Sequence, residues 1–143
     1  MKSLVELEIE RPQAEVARLF ADPATQPMWM DDLARIEPVS GTLGEVGSVY
    51  RMVPKQGPVF VATVVARELP DELKLSLESP GITVAVNGRL HKVSESRTRL
   101  VSEETFEFDG AFNKVSGFLA QTAIKAAHRR HMTSFKRFAE RRR

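Results

Sequence analysis

From Phe112 to Glu140 the chain holds no proline and a single glycine, and good helix formers dominate. This predicts one helix of about 28 residues, roughly 40 Å long at the usual helical rise. Within it, Ile124, Met132 and Phe135 share a broad face, and the run FLAQTAIKAA is mostly apolar. A helix of that length is stabilised mainly by packing an apolar face, not by propensity. The rest of the chain has to supply a long apolar surface for it.

That surface is legible as strands. SLVELEIE alternates, with Val5, Leu7 and Ile9 on one face and Glu6, Glu8 and Glu10 on the other. Pro12 suits a helix start, and QAEVARLFA places Val16, Leu19 and Phe20 together. Asp22–Pro23 ends that helix, and a second short helix over about 24–30 carries Trp29. ARIEPVSG is a short strand, assigned to a sheet edge by Pro38. Gly41, Gly44 and Gly47 read as turn residues; their spacing is not the dinucleotide fingerprint. SVYRMV, VFVATVVARE and ELKLSLES follow as strands, with Leu73, Leu75 and Leu77 in one phase. ITVAVNGRLHKV allows two readings. Asn87–Gly88 signals a hairpin, or Gly88 permits a bend in one long strand. TRLVSEETFEF is the last strand. The order is strand, two short helices, about six antiparallel strands and one long C-terminal helix. This is an α+β fold in one domain, residues 1–143, with a twisted sheet curled around the helix.

Charge and composition narrow the function classes. The last fifteen residues hold seven Lys/Arg and one Asp/Glu, so the remainder of the chain is net acidic despite an overall charge of +2. A nucleic-acid-binding face would spread its basic residues over a groove or surface, so no nucleic acid is expected as a partner. A basic helix end is favoured by the helix dipole. There is no cysteine, which excludes disulfides and thiolate chemistry. No apolar run is long enough to span a membrane. The start, MKSLVELEIERP, carries charges through its apolar run and does not read as a signal peptide. The expected location is therefore the cytoplasm. A homodimer is compatible with the sequence but is not indicated by it.

The pieces IERPQAEVARLFADPATQPMW, GTLGEVGSVYRM, LPDELKLSLESPG, SRTRLVSEETFEF and HMTSFKRFAERR together resemble the START-like, or SRPBCC, superfamily and its polyketide cyclase/dehydrase and lipid-transport branch. The resemblance covers nearly the whole chain and is specific for fold. It implies the helix-grip fold, with a curved antiparallel sheet wrapped around a long C-terminal helix and two short helices after the first strand. It also favours one long strand at Asn87–Gly88. The superfamily holds binding proteins and enzymes on one scaffold, so fold alone does not choose a function. The resemblance implies a cavity between sheet and helix, typically for an apolar or aromatic ligand, with the short helices closing one end. Trp29 would then be part core plug and part pocket wall, with Met28 and Met30 as adaptable fillers.

In the last strand Leu100, Ser102, Glu104, Phe106 and Phe108 share one phase, which the apolar members mark as inward. Glu104 then sits among apolar neighbours, where burial raises a carboxyl pKa and makes it a candidate acid or base. Alternatively, Glu104 lies near the open end of the sheet, or an arginine such as Arg51 or Arg89 neutralises it. Tyr50 and Met52 share a phase, as do Phe60, Ala62 and Val64; which phase faces inward is left open. Tyr50 offers a ligand one hydroxyl or is an ordinary strand aromatic. Phe118 and Thr122 stand one helical turn apart, facing the sheet as pocket or as core. The candidate ligand-binding set is Trp29, Tyr50, Met52, Phe60, Glu104, Phe106, Phe118 and Thr122. Only Glu104 is a catalytic candidate.

No metal or cofactor is expected. His128 and His131 stand at i, i+3, but zinc needs a third protein ligand and His91 has no evident reason to converge. Asp31 and Asp32 lack the spaced oxygen ligands of a calcium or magnesium loop and read as a solvated turn. Nucleophilic catalysis would need a serine and a histidine brought together, and no spacing proposes such a pair. The first expectation is binding of an apolar or aromatic small molecule without catalysis. The alternative is a polyketide cyclase or aromatase using Glu104, with Tyr50, for acid–base work. A third is an interaction module using the basic tail.

Overall fold

The computed structural model describes residues 1–110 and 117–141, and of Phe118 the backbone alone. Seven antiparallel strands form one open sheet in the order β1-β7-β6-β5-β4-β3-β2. They are β1 (Lys2–Ile9), β2 (Leu33–Ser40), β3 (Val49–Pro54), β4 (Phe60–Glu68), β5 (Glu72–Ser79), β6 (Ile82–Ser94) and β7 (Arg97–Phe108). Between β1 and β2 lie α1 (Gln13–Phe20), a 3-10 turn (Pro23–Thr25) and α2 (Gln26–Trp29). The long helix α3 is Phe118–Arg141. This is the helix-grip architecture: a curved, unclosed sheet around one long helix.

Alternation in β1 buries Ser3, Val5 and Ile9 and turns its glutamates outward. Pro38 lies in β2, the outermost strand, where a missing N–H costs no ladder bond on the free side. The expected second short helix divides into the 3-10 turn, whose Asp22 side chain accepts from Ala24 N–H at 3.0 Å, and the single turn α2. Strand β6 runs unbroken through Asn87–Gly88. The hairpin signal fails there because the space a side chain at Gly88 would fill is taken. A Cβ at Gly88 would lie 2.4 Å from Phe20 Cε2.

Helix α3 begins at Phe118, with Gly117 a bend ahead of it. The expected helical residues 112–116 lie outside the described residues. At the other end, Met132, Phe135, Phe138 and Ala139 are buried. Phe135 meets Phe20 and Trp29 edge-on, each at 5.2 Å between ring centroids. Glu140 accepts from the Glu10 N–H and from Lys136, and Arg11 bonds its carbonyl, which ties the helix end to the β1–α1 corner. Arg141 is exposed, and Arg142 and Arg143 lie outside the described residues.

Candidate functional site

The C-terminal half of α3 fills one end of the sheet's concave face with aromatic rings. Further toward its N-terminus, Ile124 and Ala127 are too small to fill the gap, and a cavity of about 320 Å³ opens there between helix and sheet. Its walls are largely apolar and include Met52, Phe60, Leu77, Val84 and Phe106. Asp32, Gln56 and Pro58 stand at its mouth. A second space of about 70 Å³ lies toward the closed end, under α1 and α2, against Phe20, Gln26, Trp29 and Met132. The two spaces share Met30, Met52, Leu77, Glu104 and His131, so they lie side by side as an outer and an inner lobe.

Strand register decides which side chains reach it. Met52 pairs with Phe60 and Tyr50 with Ala62, and this phase of β3 and β4 faces inward. Glu104 lies between Ser3 of β1 and Val86 of β6 on the inward face. Its side chain is 20% exposed and borders both lobes. Among the described residues no arginine pairs with it; Arg51 is held instead by Glu37 at 3.2 Å. Burial pushes the Glu104 carboxyl up to about 7. Near neutral pH it is divided between acid and carboxylate, the condition in which a group exchanges protons most effectively.

Beside it is a histidine whose role the spacing did not reveal. His128 projects from α3 with its side chain fully buried. Ser3 Oγ lies 2.7 Å from its Nδ1, and Ser102 Oγ 2.9 Å from its Nε2. Burial, with the charges of His131 and Arg129, lowers its pKa to about 4. The imidazole is therefore neutral at physiological pH, donating to one serine and accepting from the other. Glu104 Oε2 is 3.8 Å from Nε2, beyond hydrogen-bond range. Serines and a histidine are thus brought together at separations that no spacing in the sequence proposes. The arrangement is still not a nucleophilic triad. In a triad the carboxylate holds the nitrogen remote from the nucleophile; here that nitrogen is held by Ser3, and the carboxylate stands on the Ser102 side.

The other expected site residues separate into three groups. Met52, Phe60, Glu104 and Phe106 meet on the outer lobe. Trp29 is 7% exposed and borders the inner lobe, wedged against Phe135. Tyr50 and Thr122 are not on the walls of either lobe. Tyr50 is fully buried toward the closed end, where Gln26 Nε2 donates to its hydroxyl at 3.3 Å, and Thr122 is exposed on α3. The helical period explains the second: Ile124 and His128 define the cavity-facing side, and Thr122 falls off that stripe. The side chain of Phe118 lies outside the described residues. Asp31 and Asp32 form the expected exposed turn, and from it they make contacts at the rim. His131 Nε2 is 3.0 Å from the Asp32 carboxylate, and Arg130 lies 3.7 Å from Asp31 and 3.4 Å from Asp32. Asp31, Asp32 and His131 bring three ligand-type atoms within 4.8 Å of one another. Arg130 already neutralises the two carboxylates, which weakens their case as metal ligands. His128 and His131 do not converge: one is bound by serines in the core, the other by Asp32 at the rim.

Comparison with known proteins gives one family and a set of structural relatives. The family described as polyketide cyclase / dehydrase and lipid transport matches residues 3–140. No curated protein matches the chain by sequence. Among solved structures, the Zhui aromatase/cyclase from Streptomyces sp. R1128 superposes with a TM-score of 0.84 at 13% identity, over 99% of this chain and 94% of that one. A START superfamily protein from Mycobacterium smegmatis superposes at 0.83 with 12% identity, over 98% and 97% of the chains. Ara h 8.0201 superposes at 0.78 with 12% identity, over 99% of each chain. At these identities the likeness is one of fold.

Proposed function

Because the chain belongs to the polyketide cyclase/dehydrase and lipid-transport family, we propose that it binds an apolar or aromatic small molecule in the cavity between its sheet and α3. The observation that carries this reading is the cavity itself. At about 320 Å³ it falls at the small end of ligand pockets, roughly 300–1,000 Å³, and its walls are mostly aliphatic and aromatic side chains with few polar groups. An apolar ligand would cover surface that now faces the opening, and that burial is the driving force. The test is retention and replacement. Native mass spectrometry of purified protein should find a small molecule carried through purification, or an emptied cavity that takes up Nile red one-to-one. The absence of both retention and dye uptake would reject the reading.

A second reading has its own support. Glu104 is a proton-exchanging carboxyl on the wall of both lobes, backed by a buried neutral histidine. That arrangement suits acid–base catalysis of the cyclase or aromatase type. Glu104→Gln separates the two readings: an enzyme keeps ligand and loses turnover, whereas a binding protein changes affinity only modestly.

A further inference from the structure

Among the described residues, Glu104 is the ionisable wall group that the protein leaves without a counter-charge. Its place on β7, opposite Ser3 and Val86, turns it into the space between sheet and helix, where it borders both lobes. Its side chain keeps 20% exposure, and neither carboxyl oxygen is among the described side-chain atoms that are sealed and unpartnered. On the inward face of the sheet, that opening is onto the lobes. Burial alone moves the carboxyl, with no hydrogen-bond donor or charge among the described residues to offset it.

The groups packed around Glu104 supply no cation. From α3, His128 is neutral and held by Ser3 and Ser102, and His131 is held by Asp32. Lys125, Arg129 and Arg130 stand on the exposed side of α3, and Arg130 is engaged by Asp31 and Asp32. From β1, the Met1 ammonium donates to the Phe106 carbonyl at 3.2 Å. Strand β6 presents Val86 beside Glu104. No lysine or arginine of the described residues lines either lobe. A ligand therefore meets mostly apolar walls, one carboxyl without a partner and no positive charge to receive an anion. A ligand carboxylate would be desolvated beside Glu104 with nothing to pair it, at a heavy cost. A neutral ligand gains an ordinary hydrogen bond. A protonated amine gains a charge-assisted one, roughly twice as strong. Because the carboxyl is not sealed, the pair keeps part of its hydration, which reduces the penalty of a buried ion pair.

We infer that the two lobes select an aromatic or apolar amine, with its ammonium on Glu104 and its apolar body against Met52, Phe60, Leu77 and Phe106. This rests on the cavity reading above and specifies its ligand class and orientation.

The experiment compares naphthylethylamine, naphthylethanol and naphthylacetate, which share one ring system and differ in the charge of the arm. Affinities are read by displacement of Nile red at about pH 8. There Glu104, at about 7, is largely ionised, while an alkylammonium, at about 10, keeps its proton. The amine should bind roughly ten-fold tighter than the alcohol, the value of a hydrogen bond to a charged group. The acetate should bind roughly ten-fold or more weaker than the alcohol. In Glu104→Gln the amine should lose most of its advantage and the acetate should improve, while the uncharged alcohol changes only modestly. A second measurement uses the wild-type protein alone. An ammonium on Glu104 favours the carboxylate, so at neutral pH the amine should release part of a proton on binding and the alcohol none. Calorimetry in two buffers of different ionisation enthalpy reads this. An amine that binds no tighter than the alcohol and releases no proton overturns this inference and leaves the cavity reading standing. So does an amine advantage that survives in Glu104→Gln, or an acetate that binds as tightly as the amine. If Nile red and all three compounds fail to bind, the cavity reading falls and takes this inference with it.

Discussion

Glu104 and His128 are displaced in opposite directions by the same burial, and their consequences for stability are opposite in sign. The Glu104 carboxyl is raised from 4.5 to about 7, so the native state holds its proton more tightly than the unfolded chain. Its contribution is full below pH 4.5 and is lost as pH rises through 7. His128 is lowered from 6.5 to about 4, so its contribution is full above pH 6.5 and is lost as pH falls through 4. Between pH 4.5 and 6.5 the two slopes oppose one another in the wild-type protein. Urea denaturation across this range should separate them. Glu104→Gln leaves a protein that weakens toward acid, and His128→Gln leaves one that weakens toward neutral pH. Parallel slopes in the two variants would refute the account of either residue. The inward position of Glu104 was legible because strands have a period of two. The serines around His128 were not, although the signals for each were present. Ser3 shares the phase of Val5, Ser102 that of Leu100, and His128 stands one turn from Ile124 and from Met132. Their meeting spans 125 and 26 residues of sequence, and no local pattern encodes a contact at that separation.

At the scale of elements, β6 shows how a strong local signal is overruled. Asn87–Gly88 favours a tight hairpin turn by itself. In the fold, the bare Gly88 backbone is the floor on which the Phe20 ring of α1 sits. A Cβ there would lie 2.4 Å from one ring carbon and 2.9 Å from another. Gly88→Ala should therefore cost about 1–3 kcal/mol through overpacking. Thermal denaturation checks this, and Phe20→Leu in the same chain should recover part of the loss because the two sites share one contact. A neutral Gly88→Ala would mean that Phe20 has room to move and that the contact does not hold α1 on β6. The edge placement of β2, the phases of β1, β5 and β7, and the single long C-terminal helix follow from Pro38, from alternation and from the proline-free run. The inward phase of β3 and β4 could not be settled from composition, since both phases contain apolar residues. The burial of Tyr50, Met52, Ala62 and Val64 settles it.

Over the whole molecule, the cavity is a difference in fullness along one helix. Phe135, Phe138 and Met132 fill the closed end against α1, α2 and β1, while Ile124 and Ala127 leave the other end open. The sequence FLAQTAIKAA announces an apolar helix. It does not announce that Ile124 and Ala127 are too short for the distance to the sheet, because that distance is set by curvature accumulated over seven strands. The existence of a site could therefore be expected only from resemblance, and its two lobes and the neutral His128 appear only in three dimensions. The central claim, that the space between sheet and α3 is where ligand binds, is tested most directly by filling it. Ala127 lies on the wall of the outer lobe, so Ala127→Trp would place an indole in the space proposed for ligand. Nile red titration of this variant, beside its melting curve, is the measurement. The account predicts that dye binding is lost while Tm stays at or above the wild-type value, since an apolar side chain has occupied apolar space. Undiminished dye affinity in a folded Ala127→Trp protein would contradict it and move the binding site elsewhere.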